Sequence, residues 1–414
     1  MPRRHISLAL PGLLIVPLLG VSALQASAAG PSSTLVAAAP HIFWTKAGPP
    51  AAARSASGPS TAGTPQPAPA NNLIYHGGAV LHHPHVYITF WGSQWDGLTD
   101  TSPQGTVYTA ATIQAYESSF FANIGGTAWH GTQSQYCDGI QPGSLDCSTA
   151  TSASQFVSND TGLLAGVWVD TSAAAPTQIV TSGLAENITQ DPVAAEAVAA
   201  ANHFSGTAGS FDPEAVYFVF TPPQTAATGY GSAYCAYHSE VTNTSNPGTS
   251  TGIKYAFMPY TPQQGSGCGG NSVNVKDDAF GHGYLDSYTL AGGHEFEEAV
   301  TDPDNFQGVQ DGWNDLTTSE NGDKCAYFDA ANLTVGAQFW AVQPMWSNEA
   351  NGGTGGCAMS RSTGAEPIPG PPNTYVPNTP SANVAEAPAS ALLALVPLGF
   401  GGLFVGRRRL RHRR

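Results

Sequence analysis

The chain is 414 residues long, carries a formal net charge of −15 and contains only 10% charged residues, alongside 47 glycines and 32 prolines. Between Asn72 and Ser362, four basic residues (Lys254, Lys276, Lys324, Arg361) stand against 27 of the 29 acidic ones. So acidic a segment repels phosphate backbones, which argues against nucleic acid as a partner, and its glycine and proline call for a loop-rich fold.

In chain order, residues 1–28 have the layout of a secretion signal: basic Arg3, Arg4 and His5, an apolar run from Ile6 to Leu24, then small residues at Ala26-Ser27-Ala28. Residues 29–71, rich in Ala, Pro and Ser, read as a disordered spacer. Residues 72–362 read as a single globular domain. Within it Val86–Trp91, Leu164–Val169, Ala215–Phe220 and Tyr255–Met258 have the apolar, β-branched and aromatic character of buried strands. Thr106–Asn123 and Pro192–His203 have helical patterns, with Pro192 suited to a first turn. Alternating strands and helices predict an α/β or α+β fold in which a mixed sheet is layered with helices.

Residues 363–388 form a proline-rich spacer, 389–406 an apolar transmembrane or sorting segment, and 407–414 a basic tail holding six of the 14 basic residues. Positive charge stays cytoplasmic, so the domain is expected outside, anchored to the membrane by this C-terminal segment. The six cysteines, in an exported chain, predict disulfides; chain order suggests Cys137–Cys147, Cys235–Cys268 and Cys325–Cys357 among the 15 possible pairings.

The chemistry concentrates in Gly292-Gly-His294-Glu295-Phe-Glu-Glu298-Ala-Val-Thr-Asp302-Pro303. Residues i and i+4 share a helical face, so His294 and Glu298 can present nitrogen and oxygen to one zinc ion. Glu295, next to the first ligand, is placed to act as a general base. This predicts a zincin-like active-site helix, with the two glycines inside it or at its start. Glu320 is the leading third ligand, with Asp323 supporting His294 or ligating itself. Asp304 is a rival and His282 a weaker one.

Elsewhere, His238 is a candidate oxyanion donor held by a disulfide at Cys235. His82, His83 and His85 read as a solvated loop cluster. Trp313, Trp340 and Trp346 suit either a cleft wall or the core.

Several segments resemble the exordium/phosphate-induced family of secreted proteins: Asn72-Leu-Ile-Tyr-His-Gly-Gly, Val86-Tyr-Ile-Thr-Phe-Trp-Gly, Cys235-Ala-Tyr-His-Ser and Tyr255-Ala-Phe-Met-Pro. The chain is more similar to bacterial exported proteins that carry His-Glu-x-x-Glu-Ala-x-Thr-Asp-Pro and Glu-x-x-Asp-x-Cys segments and look metallopeptidase-like. That resemblance implies Glu298 rather than Glu297 as ligand, and Glu320 with Asp323 as the downstream pair. The expected function is a surface-anchored zinc hydrolase acting on peptide or protein. The alternative is a non-catalytic wall-associated protein whose acidic helix is structural or binds calcium through aspartates near 302–315.

Overall fold

The structure, a computed structural model, describes residues 35–37, 41–46, 72–180, 186–187, 191–243, 252–277, 283–304 and 311–361. Both the predicted signal and the C-terminal apolar segment lie outside these residues, as does His282. Among the described residues no helix is long and apolar enough to cross a membrane.

The framework is one mixed sheet of eight strands: β1 (Leu35–Ala37), β2 (His41–Trp44), β3 (His85–Trp91), β4 (Leu164–Asp170), β5 (Glu186–Asn187), β6 (Ala215–Phe220), β7 (Tyr234–Asn243) and β8 (Ile253–Met258). Its order is β4-β3-β6-β8-β7-β1-β5, with β2 also pairing to β7. The first four strands of that order run parallel. From β7 onward the pairing is antiparallel. The inner parallel strands β3, β6 and β8 are buried along their whole length, which explains their continuous apolar character; β4, expected to be buried, is an edge strand that is only half-buried, with Val169 exposed.

Alternation decides what each face meets. Val86, Ile88 and Phe90 of β3, with Phe218 and Phe220 of β6, join the larger core. Tyr87, Tyr217 and Val219 join the smaller core on the opposite face. Helix α1 (Ala110–Ile124) and helix α3 (Asp286–Thr301) lie on the first side; α2 (Pro192–Ser205) covers the second. Asp191 caps α2 by accepting from the Val193 and Ala194 N–H groups at 3.0 and 3.1 Å. Gly206 ends it in the left-handed region (φ 65°).

All three cysteine pairs expected from chain order are present, with Cα separations of 6.1, 5.5 and 5.7 Å. The tryptophans Trp313, Trp340 and Trp346 are core residues, at most 1% exposed. The histidines leading into β3 and at its first position are not free in solvent: His82 faces Asp138, His83 contacts Asp160 at 2.8 Å, and buried His85 contacts Asp212 at 2.5 Å. Each has found a carboxylate, because the loop folds back onto acidic neighbours.

The assignment of residues 29–71 to a spacer needs correction. β2 lies inside it, and Phe43 is fully buried. A composition dominated by Ala, Pro and Ser hides the short apolar run Ile42-Phe43-Trp44, which pairs antiparallel with β7.

Candidate metal centre

Helix α3 begins at Asp286, so Gly292 and Gly293 are interior to it. Glycine costs about 1 kcal/mol in a helix interior, and the packing explains Gly293. A Cβ there would lie 3.0 Å from Trp129 and 3.2 Å from Phe120. All sixteen residues of α3 are buried, because β7, β8, α1, β2 and the strand Gln338–Val342 enclose it. Five of them, Asp286, His294, Glu295, Glu297 and Glu298, are acidic or imidazole side chains carried into the interior.

The i, i+4 spacing works as expected. His294 Nε2 lies 2.9 Å from Glu298 Oε1. The contact lacks hydrogen-bond geometry, since Nε2 has no hydrogen-bond partner. Two donors bound to one zinc at ~2.0–2.2 Å would stand on the order of 3.3 Å apart at a tetrahedral angle. The spacing suits a shared ion.

The third member of this set is Asp323, whose Oδ1 is 3.8 Å from His294 Nε2. His294, Glu298 and Asp323 form a group that could hold a metal ion. Glu320, the leading expectation for that role, goes elsewhere: it groups with His41 and His238. Its Oε2 bonds His41 Nδ1, and its Oε1 is 3.6 Å from His238 Nε2. The loop 320–325 turns tightly through Asp323–Cys325, so residues three apart reach different ends of the centre. Asp304 is not part of it, and faces Lys254 Nζ at 3.7 Å. Glu297 points away from the centre to His130, at 3.0 and 3.1 Å.

Between the two sets lies Glu295. Its Oε2 is 3.0 Å from His238 Nδ1, while Oε1 has no hydrogen-bond partner. The group His238, Glu295 and Glu298 therefore joins both ends. The role of orienting His294, expected of Asp323, falls to Gln343. Its Nε2 is 3.2 Å from His294 Nδ1 and donates to the Gly322 carbonyl at 2.8 Å.

Seven side chains thus converge: three imidazoles and four carboxyls. His238, His294, Glu295, Glu298 and Glu320 are at most 2% exposed, and each leaves one polar atom without a hydrogen bond. Buried polar atoms normally find partners, so five orphans in one place require a reason. The ion pairs of Lys254, Lys324 and Arg361 go to Asp304, Asp315 and Glu349 instead.

Without a cation, the centre can exist only largely uncharged. Burial pushes the Glu298 carboxyl up to about 8. Burial, then the Glu298 charge, raises Asp323 to about 7. Glu295 and Glu320 rise well above the usual carboxylate range, first through burial and then through neighbouring carboxylates. Burial also lowers His294 to about 4 and depresses His238. A bound divalent ion reverses these preferences.

Two residues of the centre left little trace in the sequence. His41 arrives on β2, and its one signal is the apolar run that follows it. Gln343 has none. Gly322 is required by close approach: a Cβ would lie 2.8 Å from both Glu298 Oε1 and His294 Nδ1.

Comparison with known protein families, with curated proteins and with solved structures yielded no match. The reading of this centre rests on its chemistry.

Proposed function

We propose that the chain is an exported, surface-anchored zinc-dependent hydrolase, a metallopeptidase in which His294, Glu298 and Asp323 hold the ion. The observation that carries this reading is the convergence of buried imidazoles and carboxyls with five unpartnered polar atoms at the motif helix. Zinc suits it better than calcium, because zinc accepts nitrogen and oxygen together whereas calcium takes oxygen ligands. The aspartates considered for calcium are otherwise engaged: Asp302 accepts from the Gly312 N–H at 2.6 Å, and Asp315 bonds Lys324 at 2.6 Å. Three disulfides fit an oxidising, exported setting. The resemblance to bacterial His-Glu-x-x-Glu proteins points the same way.

A zinc ion supplies Lewis-acid polarisation of the scissile carbonyl and of water. The protein supplies the proton transfers. Glu295 Oε1, free of hydrogen bonds, takes the proton from water and passes it to the departing amine. His238 holds Oε2 of the same carboxylate and so fixes which oxygen faces the substrate. Of the seven side chains, His41 and Asp323 reach solvent, at 20% and 22% exposed.

The test is elemental analysis of the purified chain together with hydrolysis of a peptide library. Zinc should copurify, and chelation should abolish cleavage. Glu295→Gln should keep its zinc and lose about 10²–10⁴ in turnover. A chain that takes up no zinc, or a Glu295→Gln variant as fast as wild type, sinks the reading.

A further inference from the structure

We propose that the centre takes a second divalent transition-metal ion, held by His41, His238 and Glu320. The proposal rests on the metal-hydrolase reading above and deepens it to a two-ion site.

A catalytic zinc uses three protein ligands and keeps one position open. Seven side chains are too many for one such ion. They divide into two sets that share no residue, His294/Glu298/Asp323 and His41/His238/Glu320, with Glu295 between them. Two three-ligand sets and one base account for every member.

The second set has the features of a ligand site in its own right. His238 Nε2 and Glu320 Oε1 are 3.6 Å apart, buried, and without hydrogen-bond partners. His238 Nδ1 lies 3.0 Å from Glu295 Oε2, which turns Nε2 toward Glu320. A carboxylate behind the imidazole is how proteins orient and strengthen a histidine ligand. His41 completes the set. It sits opposite His238 across the β2/β7 pair, so both rings project to the same face, and its Nδ1 bonds Glu320 Oε2. Glu298 links the sets, with Oε1 at His294 and Oε2 3.6 Å from His238 Nδ1. Paired ions commonly stand ~3.5–4 Å apart in hydrolytic centres.

One consequence is structural: the second ion would add a side-chain tie to the backbone pairing that already holds β2 against β7.

The experiment uses the full chain, stripped with chelator and reloaded with Zn²⁺ alone, with bound zinc counted per chain. Two ions are expected in the wild type and one in His41→Ala. His294→Ala should also retain one. Circular dichroism checks that each variant folds, and His41→Gln provides a milder change at the same position. One zinc in both wild type and His41→Ala overturns the second site and leaves the hydrolase reading standing. Two zincs in His41→Ala equally overturn it. No zinc in the wild type removes both.

Discussion

His41 and His238 face each other across an antiparallel strand pair, with ring centroids 4.8 Å apart and planes inclined by 27°. One comes from a short strand near the start of the chain, the other from the middle of β7. Between them and α3 lies the acidic centre. Four expectations follow from its geometry.

Gly322 lets the 320–325 loop lie directly on α3. A methyl group there would meet both Glu298 and His294 at 2.8 Å, so the loop must retreat and take Asp323 with it. Gly322→Ala should weaken zinc binding by about tenfold or more, while the core keeps its packing. A zinc titration against a competing chelator, alongside thermal melting, separates the two effects.

Gln343 ties the His294 ring to the 320–325 loop. Its Nε2 lies 3.2 Å from His294 Nδ1 and donates to the Gly322 carbonyl at 2.8 Å. Gln343→Leu removes both contacts and should cost about 10–100-fold in metal affinity. Unchanged affinity would show that some other group orients His294.

The metal-free protein should become less stable as pH rises from 6.5 to 8. Glu298 and Asp323 have folded-state values raised to about 8 and about 7. Their unfolded counterparts ionise near the ordinary carboxylate value, so the folded state holds extra protons across this window. Stability present at low pH is therefore lost as pH climbs through the raised values. The depressed histidines act oppositely, but only below about 6.5, where the unfolded imidazole charges. Melting in chelator should show the fall in Tm. Zinc, which displaces those protons, should raise Tm more at pH 8 than at pH 6.

Glu297 and Glu298 are adjacent yet do different work. Glu297 bonds His130 in the interior, whereas Glu298 reaches the centre. Glu297→Gln should destabilise the fold by about 1–3 kcal/mol through its buried partner and leave zinc content intact. Glu298→Gln should lose zinc. The same metal content in both variants would contradict the assignment.

Much of this was legible from residues close together in the chain. Runs such as Val86–Trp91 and Ala215–Phe220 are strands because a buried parallel sheet demands continuous apolar character, and both lie where the pattern puts them. Helix α2 follows its periodicity and caps, whereas the helical pattern read from Thr106 becomes helix only at Ala110, because Val107–Thr109 pairs as a strand with Thr99–Thr101 and Thr109 caps α1. The i, i+4 spacing of His294 and Glu298, with Glu295 beside them, is a property of any α-helix and needs no tertiary information. The spacer assignment failed at His41–Trp44 because four residues barely alter a composition averaged over forty.

What the sequence by itself determined is local: where strands and helices form, and which side chains share a helical face, since both depend on backbone periods of a few residues. Which downstream carboxylate meets His294, that Glu320 turns instead to His41 and His238, and that Gln343 lies behind the imidazole were decided only by tertiary structure. Those contacts join segments far apart in the chain, and their geometry comes from sheet order and loop path, which no short-range pattern encodes.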